Sequence, residues 1–403
     1  MTPRSTMEST SVRPTLGSRA DFVGNTGPVE RPGRSRDSHL DARAPRLRRL
    51  LSDARSADPV TTIRDVAQLA GVSTMTVSRV INRSGYASEA ARRRVDRAVA
   101  ELGYVPNAVA RQLRSKRTRT IALVVSDITN PFFTVIARGV EDAARQRDHA
   151  VIFVNTDESQ TLENDYLRIL MGRQVDGVLL VPAGNSAEPF RLLRSQKIPV
   201  VVLDRRVQVR QVDEVRCDSE AGAYALVRHL IGLGHRRIAA ITGRRTIATA
   251  VDRVAGYERA LTDAGITHDP ELIRYDSFSL AGGHRRMREI LAIAPRPTAV
   301  FAANNFIAFG ALQALRDAGL RVPDDMSLVT FDDLPEGWQA EPFLTVLAQP
   351  AYEIGRRAAE LLFERLEGLA RPTRRVIILP GELIVRRSSG PVPSPGPRPR
   401  EGA

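Results

Sequence analysis

The sequence is short of several things. In 403 residues there is one cysteine, Cys217. That excludes an intramolecular disulfide and a metal cluster held by several thiolates. Lysine is nearly absent, with only Lys116 and Lys197, so arginine carries the formal net charge of +13. An excess of that sign favours a polyanionic partner. No apolar run is long enough to span a bilayer, and the N-terminus has no charged-then-apolar export signal. The expectation is a soluble cytoplasmic protein with no membrane association. No nucleophile elbow, zinc-binding His pair or phosphate-cradling glycine loop is present. The reading is therefore not an enzyme, with no catalytic residues, no metal and no cofactor. His235, in a helix-to-strand turn, reads as structural, and Asp332-Asp333, in a strand-end loop, as a cleft or loop feature instead of an acid–base dyad.

The length suggests two or three folding units. Residues 1–60 are rich in Arg, Ser, Pro, Gly and Asp with little apolar periodicity, which predicts a disordered basic tail. Val60 would suit an alternative start. The proline-rich stretch 389–403 is expected to be disordered as well.

Residues 62–82 spell two short helices around a tight turn. Thr62 and Asp65 form a Ser/Thr-x-x-Asp/Glu helix start. Ile63, Val66, Ala67 and Ala70 recur at helical spacing, and Gly71 can take the left-handed backbone that ends the helix. Ser73 can cap a second helix with Val77, Val80 and Ile81 on one face and Thr74, Met75, Ser78 and Arg79 on the other. A helix-turn-helix lays the front of its second helix in the DNA major groove. There Arg79 could bond guanine bidentately, while Thr74 and Met75 could touch base edges and a thymine methyl. Any two-helix hairpin can carry this pattern with its polar face in solvent. The residues immediately downstream favour DNA. A third helix from Ser88 carries Arg92, Arg93, Arg94 and Arg97, and after it comes a short segment from Pro106 too brief to be a stable helix alone.

From Thr120, β-branched runs at 121–125, 151–154, 177–181, 200–203, 238–241, 299–301 and 328–331 alternate with helical stretches. The pattern predicts buried parallel strands in doubly wound α/β layers. Ligands in such sheets bind beyond the carboxyl ends of the strands. Asp127, Asn130, Phe132 and Phe133 follow the first strand, Asp204 and Arg205 the fourth. Arg253 opens a helix, Phe278 follows a short strand, Asn304 and Asn305 follow Ala-Val-Phe-Ala-Ala, and Asp332 follows Val-Thr-Phe. Aromatic walls with a few planar polar groups suit a sugar or another small polar ring. For Asp127 and Asp204 bonding to loop amides is the alternative, and for Phe132 and Phe133 a place in the core.

The chain resembles the LacI (LacI/GalR) family of bacterial transcription regulators. The likeness rests on Thr-Ile-Arg-Asp-Val-Ala…Gly-Val-Ser…Thr-Val-Ser-Arg-Val, then Leu-Gly-Tyr-Val-Pro-Asn-Ala-Val-Ala-Arg-Gln-Leu-Arg at 102–114, and extends to about Ser388. It implies a helix-turn-helix DNA-binding domain at 61–105, a hinge helix at 106–117 and an effector-binding, dimerising domain at 118–388. That large domain would be an α/β core of two lobes, shaped like periplasmic sugar-binding proteins and joined by three crossovers. The lobes are expected at 118–218 and 219–345, with a return to the first through Thr345-Val346. The expected DNA contacts are Thr62, Thr74, Met75, Thr76, Ser78, Arg79 and Asn82, plus Asn107, Ala110 and Leu113 in the hinge. Leu113 stands where the family wedges a leucine into the minor groove. The expected effector set is Asp127, Asn130, Phe132, Phe133, Arg205, Arg253, Phe278, Asn305 and Asp332. Many sugar-responsive relatives carry Asn-Asp where this chain has Asn304-Asn305, which trades an acceptor-only group for an amide; this counts against a standard hexose and leaves a sugar, a sugar phosphate or a nucleobase as effector.

The implied function is a homodimeric, ligand-controlled repressor that binds double-stranded DNA at a pseudo-palindromic operator. Its effector would be a small molecule, a sugar or related metabolite, held between the lobes. The alternative is a solute-binding sensor of the same core fold without operator binding, which leaves the first helix pair unexplained.

Overall fold

The computed structural model describes residues 61–82, 84–105, 117–335, 337, 341–370 and 373–392. The expected hinge helix, with Asn107, Ala110 and Leu113, and the expected tail 1–60 lie outside the described residues. The chain divides into two compact units at Pro106 and Asn107.

The first unit holds three helices, α1 (Ile63–Ala70), α2 (Thr74–Ile81) and α3 (Glu89–Leu102). The N–H and the hydroxyl of Thr62 both donate to Asp65 Oδ2 at 2.7 Å, which fixes the entry to α1. Gly71 ends α1 at φ 60°, and the Ser73 hydroxyl accepts the Thr76 N–H at 3.1 Å to open α2. Val66, Ala67 and Ala70 meet Val77 and Val80, and both groups meet Val95 and Ala98 of α3 in one small core.

The second unit contains two six-stranded sheets. The first is built from β1 (Thr120–Val125), β2 (Ala150–Asn155), β3 (Gly177–Leu180), β4 (Val200–Leu203), β5 (Asp213–Cys217) and β11 (Val376–Leu379). The second is built from β6 (Ile238–Thr242), β7 (Ile273–Tyr275), β8 (Ala299–Ala302), β9 (Ser327–Phe331), β10 (Thr345–Ala348) and β12 (Glu382–Ile384). The first lies in the order β2-β1-β3-β4-β5-β11 and the second in the equivalent order β7-β6-β8-β9-β10-β12. All pairings are parallel except β10 with β12. Each lobe is thus doubly wound, with the reversal of strand order beside β1 in one and β6 in the other.

Helices α4 (Pro131–Arg145), α5 (Gln160–Gly172) and α6 (Glu188–Ser195) follow β1, β2 and β3. Helices α7 (Ser219–Gly232), α8 (Ala248–Asp263), α9 (Leu280–Leu291) and α10 (Asn305–Asp317) belong to the second lobe, and α11 (Ala351–Leu366) follows β10. Helix α11 packs on the first lobe, where Ile354, Ala358 and Leu362 join the core of Ile121, Ile136 and Leu179. Glycine permits this: a Cβ on Gly139 of α4 would lie 2.2 Å from the Tyr352 carbonyl, and one on Gly355 of α11 2.1 Å from that of Ile136.

The chain passes between lobes three times: at Asp218, at Gln349-Pro350 and at Pro380-Gly381. The return expected at Thr345-Val346 is corrected here. Those residues pair with β9 and β12 inside the second sheet, held there by Ser388 Oγ, which accepts the Thr345 N–H at 2.8 Å. The segment expected to be disordered from 389 is also partly anchored. Ser389 bonds His229, and the Gly390 N–H reaches Ser327 Oγ at 3.0 Å. Of that segment, 393–403 lie outside the described residues.

A candidate ligand cavity and a candidate DNA-reading helix

The carboxyl ends of the strands of both lobes converge on one cavity, with an empty volume of about 770 Å³ including its open mouth. Ser126, Asp127 and Asn130 come from the turn after β1, and Phe132 and Phe133 from the first turn of α4. Asp157 and Glu158 follow β2, and Asp204 and Arg205 follow β4. From the second lobe come Arg244, Thr249 and Arg253 after β6, Ser277, Phe278 and Ser279 after β7, Asn304 after β8, Asp332 after β9 and Gln349 after β10. Eight of the nine residues expected from sequence line this wall. The ninth, Asn305, is fully buried behind it, paired through its amide with Asn130. Sequence reasoning misses Ser126 at the end of β1, and Asp157, Glu158, Arg244, Thr249, Ser277, Ser279 and Gln349. The same strand-end rule, applied to the segments after β2, β6, β7 and β10, finds the others.

The alternative roles of single residues coexist. Asp127 Oδ1 accepts the Thr129 N–H and hydroxyl at 2.9 and 2.6 Å, and the residue still lines the cavity. Phe132 and Phe133, edge-on at 5.1 Å, belong to the first-lobe core and also face the cavity. Phe278 owes its place to Gly243, where a Cβ would come within 2.2 Å of its ring.

Buried charges dominate the electrostatics. Arg205 donates to the Pro182 carbonyl at 2.6 Å, Ser126 Oγ at 3.2 Å and Glu158 Oε1 at 2.8 Å. Arg253 donates to the Ala303 carbonyl at 2.5 Å and lies 3.9 Å over the Phe331 ring. Arg205 Nε lies 3.6 Å from Asp204 Oδ2, and Arg253 Nε is buried without a hydrogen-bond partner. Asp204 and Asp332 end equivalent strands of the two lobes, and both adopt left-handed backbone, φ 65° and 70°, which Asp tolerates better than most residues. Burial pushes the Asp332 carboxyl up to about 6, against the pull of Arg253 and of Gln349, whose amide donates to it at 2.5 Å. Burial raises Asp204 too, opposed by Arg205 and Arg253.

Behind the wall, Glu163 Oε2 accepts the Ala183 N–H at 2.6 Å and so steadies the loop whose Pro182 carbonyl holds Arg205. Burial raises the Glu163 carboxyl to about 7. Its ionised form is therefore disfavoured in the folded state, and stability drops as pH rises from the unfolded carboxylate range through about 7. Glu163→Gln, which keeps an acceptor oxygen, should stabilise the protein by roughly 1–3 kcal/mol at pH 8 and little at pH 5. Urea denaturation at both values measures this, and an equal change at both pH values would contradict it.

In the first unit, Thr74, Met75, Arg79 and Asn82 of the second helix are exposed, and Thr76 and Ser78 half-buried. Arg79 Nη2 lies 3.4 Å from Met75 Sδ, which aligns two of the expected base-contacting side chains. Asn82 donates to the Ser78 carbonyl at 2.8 Å and terminates the helix. Thr62 is engaged with Asp65 at the start of α1.

Comparison with known proteins agrees with both units. Residues 62–107 match the model for bacterial regulatory proteins of the lacI family, and 227–389 that for a periplasmic binding protein-like domain. The HTH-type transcriptional repressor PurR of Aliivibrio fischeri is 38% identical over 332 residues, covering 82% of this chain and 98% of the relative. The transcriptional regulator CelR–cellobiose complex is 38% identical at a TM-score of 0.63, covering 81% of this chain and 99% of that one. The lac repressor dimer bound to operator and the anti-inducer ONPF is 28% identical at a TM-score of 0.73, covering 82% and 100%. With a helix-turn-helix unit, a two-lobed α/β unit and near full-length relatives, the chain belongs to the LacI family of bacterial regulatory proteins.

Proposed function

We propose that this protein is a cytoplasmic transcriptional repressor, not an enzyme, that binds a pseudo-palindromic operator as a homodimer under the control of a small molecule held between its lobes. The observation that carries the reading is the pairing of an exposed Thr74–Asn82 helix face with a two-lobed cavity in one chain. The repressor PurR, the cellobiose complex of CelR and the operator-bound lac repressor dimer support it. Among the described residues no helix is long and apolar enough to cross a membrane. The hinge, with Leu113 as the minor-groove wedge, completes the proposal from sequence.

The wall favours a neutral, multiply hydroxylated ring. Asp127, Asp157, Glu158, Asp204 and Asp332 outnumber Arg205, Arg244 and Arg253. Arg205 is engaged by Glu158 and Asp204, and Arg253 by a carbonyl and an aromatic face. That balance repels a phosphate and suits hydroxyls, which can donate hydrogen bonds to the carboxylates and accept them from guanidinium N–H groups. Melting curves with neutral sugars and with their phosphates test this, with stabilisation expected only from the former.

Footprinting on the promoter regions of neighbouring genes tests operator binding. Arg79→Ala should reduce discrimination between operator and unrelated DNA by about 1–3 kcal/mol. A uniform loss on all DNA would make Arg79 a phosphate contact, and a wild-type protein that protects no fragment would defeat the proposal.

A further inference from the structure

Among the described residues, side-chain hydrogen bonds join the lobes at two places beside the cavity. At the first, Asn130, the cap of α4, and Asn305, the first residue of α10, form a reciprocal amide pair. Each Nδ2 donates to the other's Oδ1 at 3.2 Å. Each oxygen also accepts a backbone N–H of its own helix, Phe132 at 3.0 Å and Phe306 at 2.7 Å, so both side chains are held in the pairing orientation. Asn130 is 4% exposed and Asn305 0%. At the second place, Arg206 Nε of the first lobe donates to Asp252 Oδ1 of α8 at 2.7 Å, with the arginine 40% exposed. Each of these two residues is the chain neighbour of a buried cavity arginine, Arg205 or Arg253.

We infer that these two links are the closing latch of the lobes, and that Asn305 acts as a lobe-to-lobe contact instead of a ligand contact. This deepens the proposed function, since it concerns how that cavity is shut. Protein side chains make both links on their own. The amide pair is neutral and dry, so it resists salt and pH, and separating it leaves polar groups to be rehydrated. The ion pair is half in water and weakens with ionic strength. Closure therefore has a constant component and a salt-tuned one. A substitution at Asn305 shifts the open–closed balance without removing a wall residue, and ligand affinity and DNA affinity follow through that balance.

The chain carries its own reporter. Cys217, its single cysteine, ends β5 immediately before the first passage between lobes, is 1% exposed, and lies near enough to Arg253, Asp204 and Asp332 to feel their charges. The test uses the full chain without DNA or sugar, so its result is independent of whether an operator or effector has been found. Labelling of Cys217 by a disulfide reagent and the radius of gyration from small-angle scattering are compared for wild type, Asn305→Ala, Arg206→Ala and the double variant. Asn305→Ala should label about tenfold faster and scatter as a larger particle. Arg206→Ala should give a smaller increase that vanishes at about 1 M salt, where screening has already removed the ion pair. Unchanged labelling and size in Asn305→Ala would overturn the latch, and so would faster labelling at constant size. Should Asn305→Ala not fold, Asn305→Asp, which loses the donor and keeps the acceptor, is read by the same two criteria.

Discussion

Asp213→Ala is expected to destabilise the protein by about 3–5 kcal/mol, enough to lower the melting temperature by roughly 10 °C. Asp213, in β5, is completely buried. Its carboxylate accepts Arg365 Nε and Nη2 at 2.8 and 2.6 Å, and the Arg375 N–H and Nη2 at 2.9 and 2.8 Å. Arg375 also pairs with Glu364, and Arg374 with Glu214. The network ties the end of α11 and the segment leading into β11 to β5, where the first lobe is completed by chain that has already passed through the second. Removing the carboxylate strands two guanidinium groups in a partly buried place. Burial pushes the Asp213 carboxyl up, but Arg365 and Arg375 outweigh it and hold the group below the usual carboxylate range. Such a group stabilises above its unfolded value and loses that contribution in acid. The gap between wild type and variant should therefore be full at pH 7 and shrink below about pH 4. Urea melts across that range measure it, and a difference below about 1 kcal/mol at pH 7 would show that the network is dispensable.

Arg253→Met should weaken effector binding by about 2–5 kcal/mol while leaving the protein folded. Methionine retains the stem and much of the volume over Phe331. What disappears is the hydrogen bond to the Ala303 carbonyl and the positive charge that opposes ionisation losses at Asp332 and Asp204. Both carboxyls should then titrate still higher, so residual binding should become more sensitive to pH near and above 6. Calorimetry with the sugar that raises the wild-type melting temperature is the measurement. Affinity within twofold of wild type would place Arg253 in the scaffold alone.

Much of this was legible in the sequence, for reasons that particular residues make plain. Gly71, Ser73 and the Val77/Val80 spacing are local signals, and the helix pair obeys them closely. Strands such as Ile121–Val125 are read easily because both faces are buried and the run is apolar. Strand β5 was invisible because Asp-Glu-Val-Arg-Cys carries charges that look exposed, and only distant Arg365, Arg374 and Arg375 make them tolerable inside. The position of Thr345-Val346 failed for a related reason: their partners, β12 and Ser388, lie some 40 residues downstream and leave no local trace. In the cavity, counting residues after strand ends found Asp127, Arg205 and Asp332. Asn305 has the same sequence context as Asn304 one position earlier. One faces the cavity and the other the opposite lobe, a distinction that only helix phase and the approach of Asn130 decide.

The threefold passage between lobes has a consequence for synthesis on the ribosome. The first sheet starts at Thr120 but receives its last strand at Val376, and the second waits for Glu382. A nascent chain can emerge almost in full before either lobe has all its strands, so neither is finished while the other is still in the exit tunnel. The two must mature together, late, and a chain interrupted before Val376 would leave both incomplete instead of sparing one.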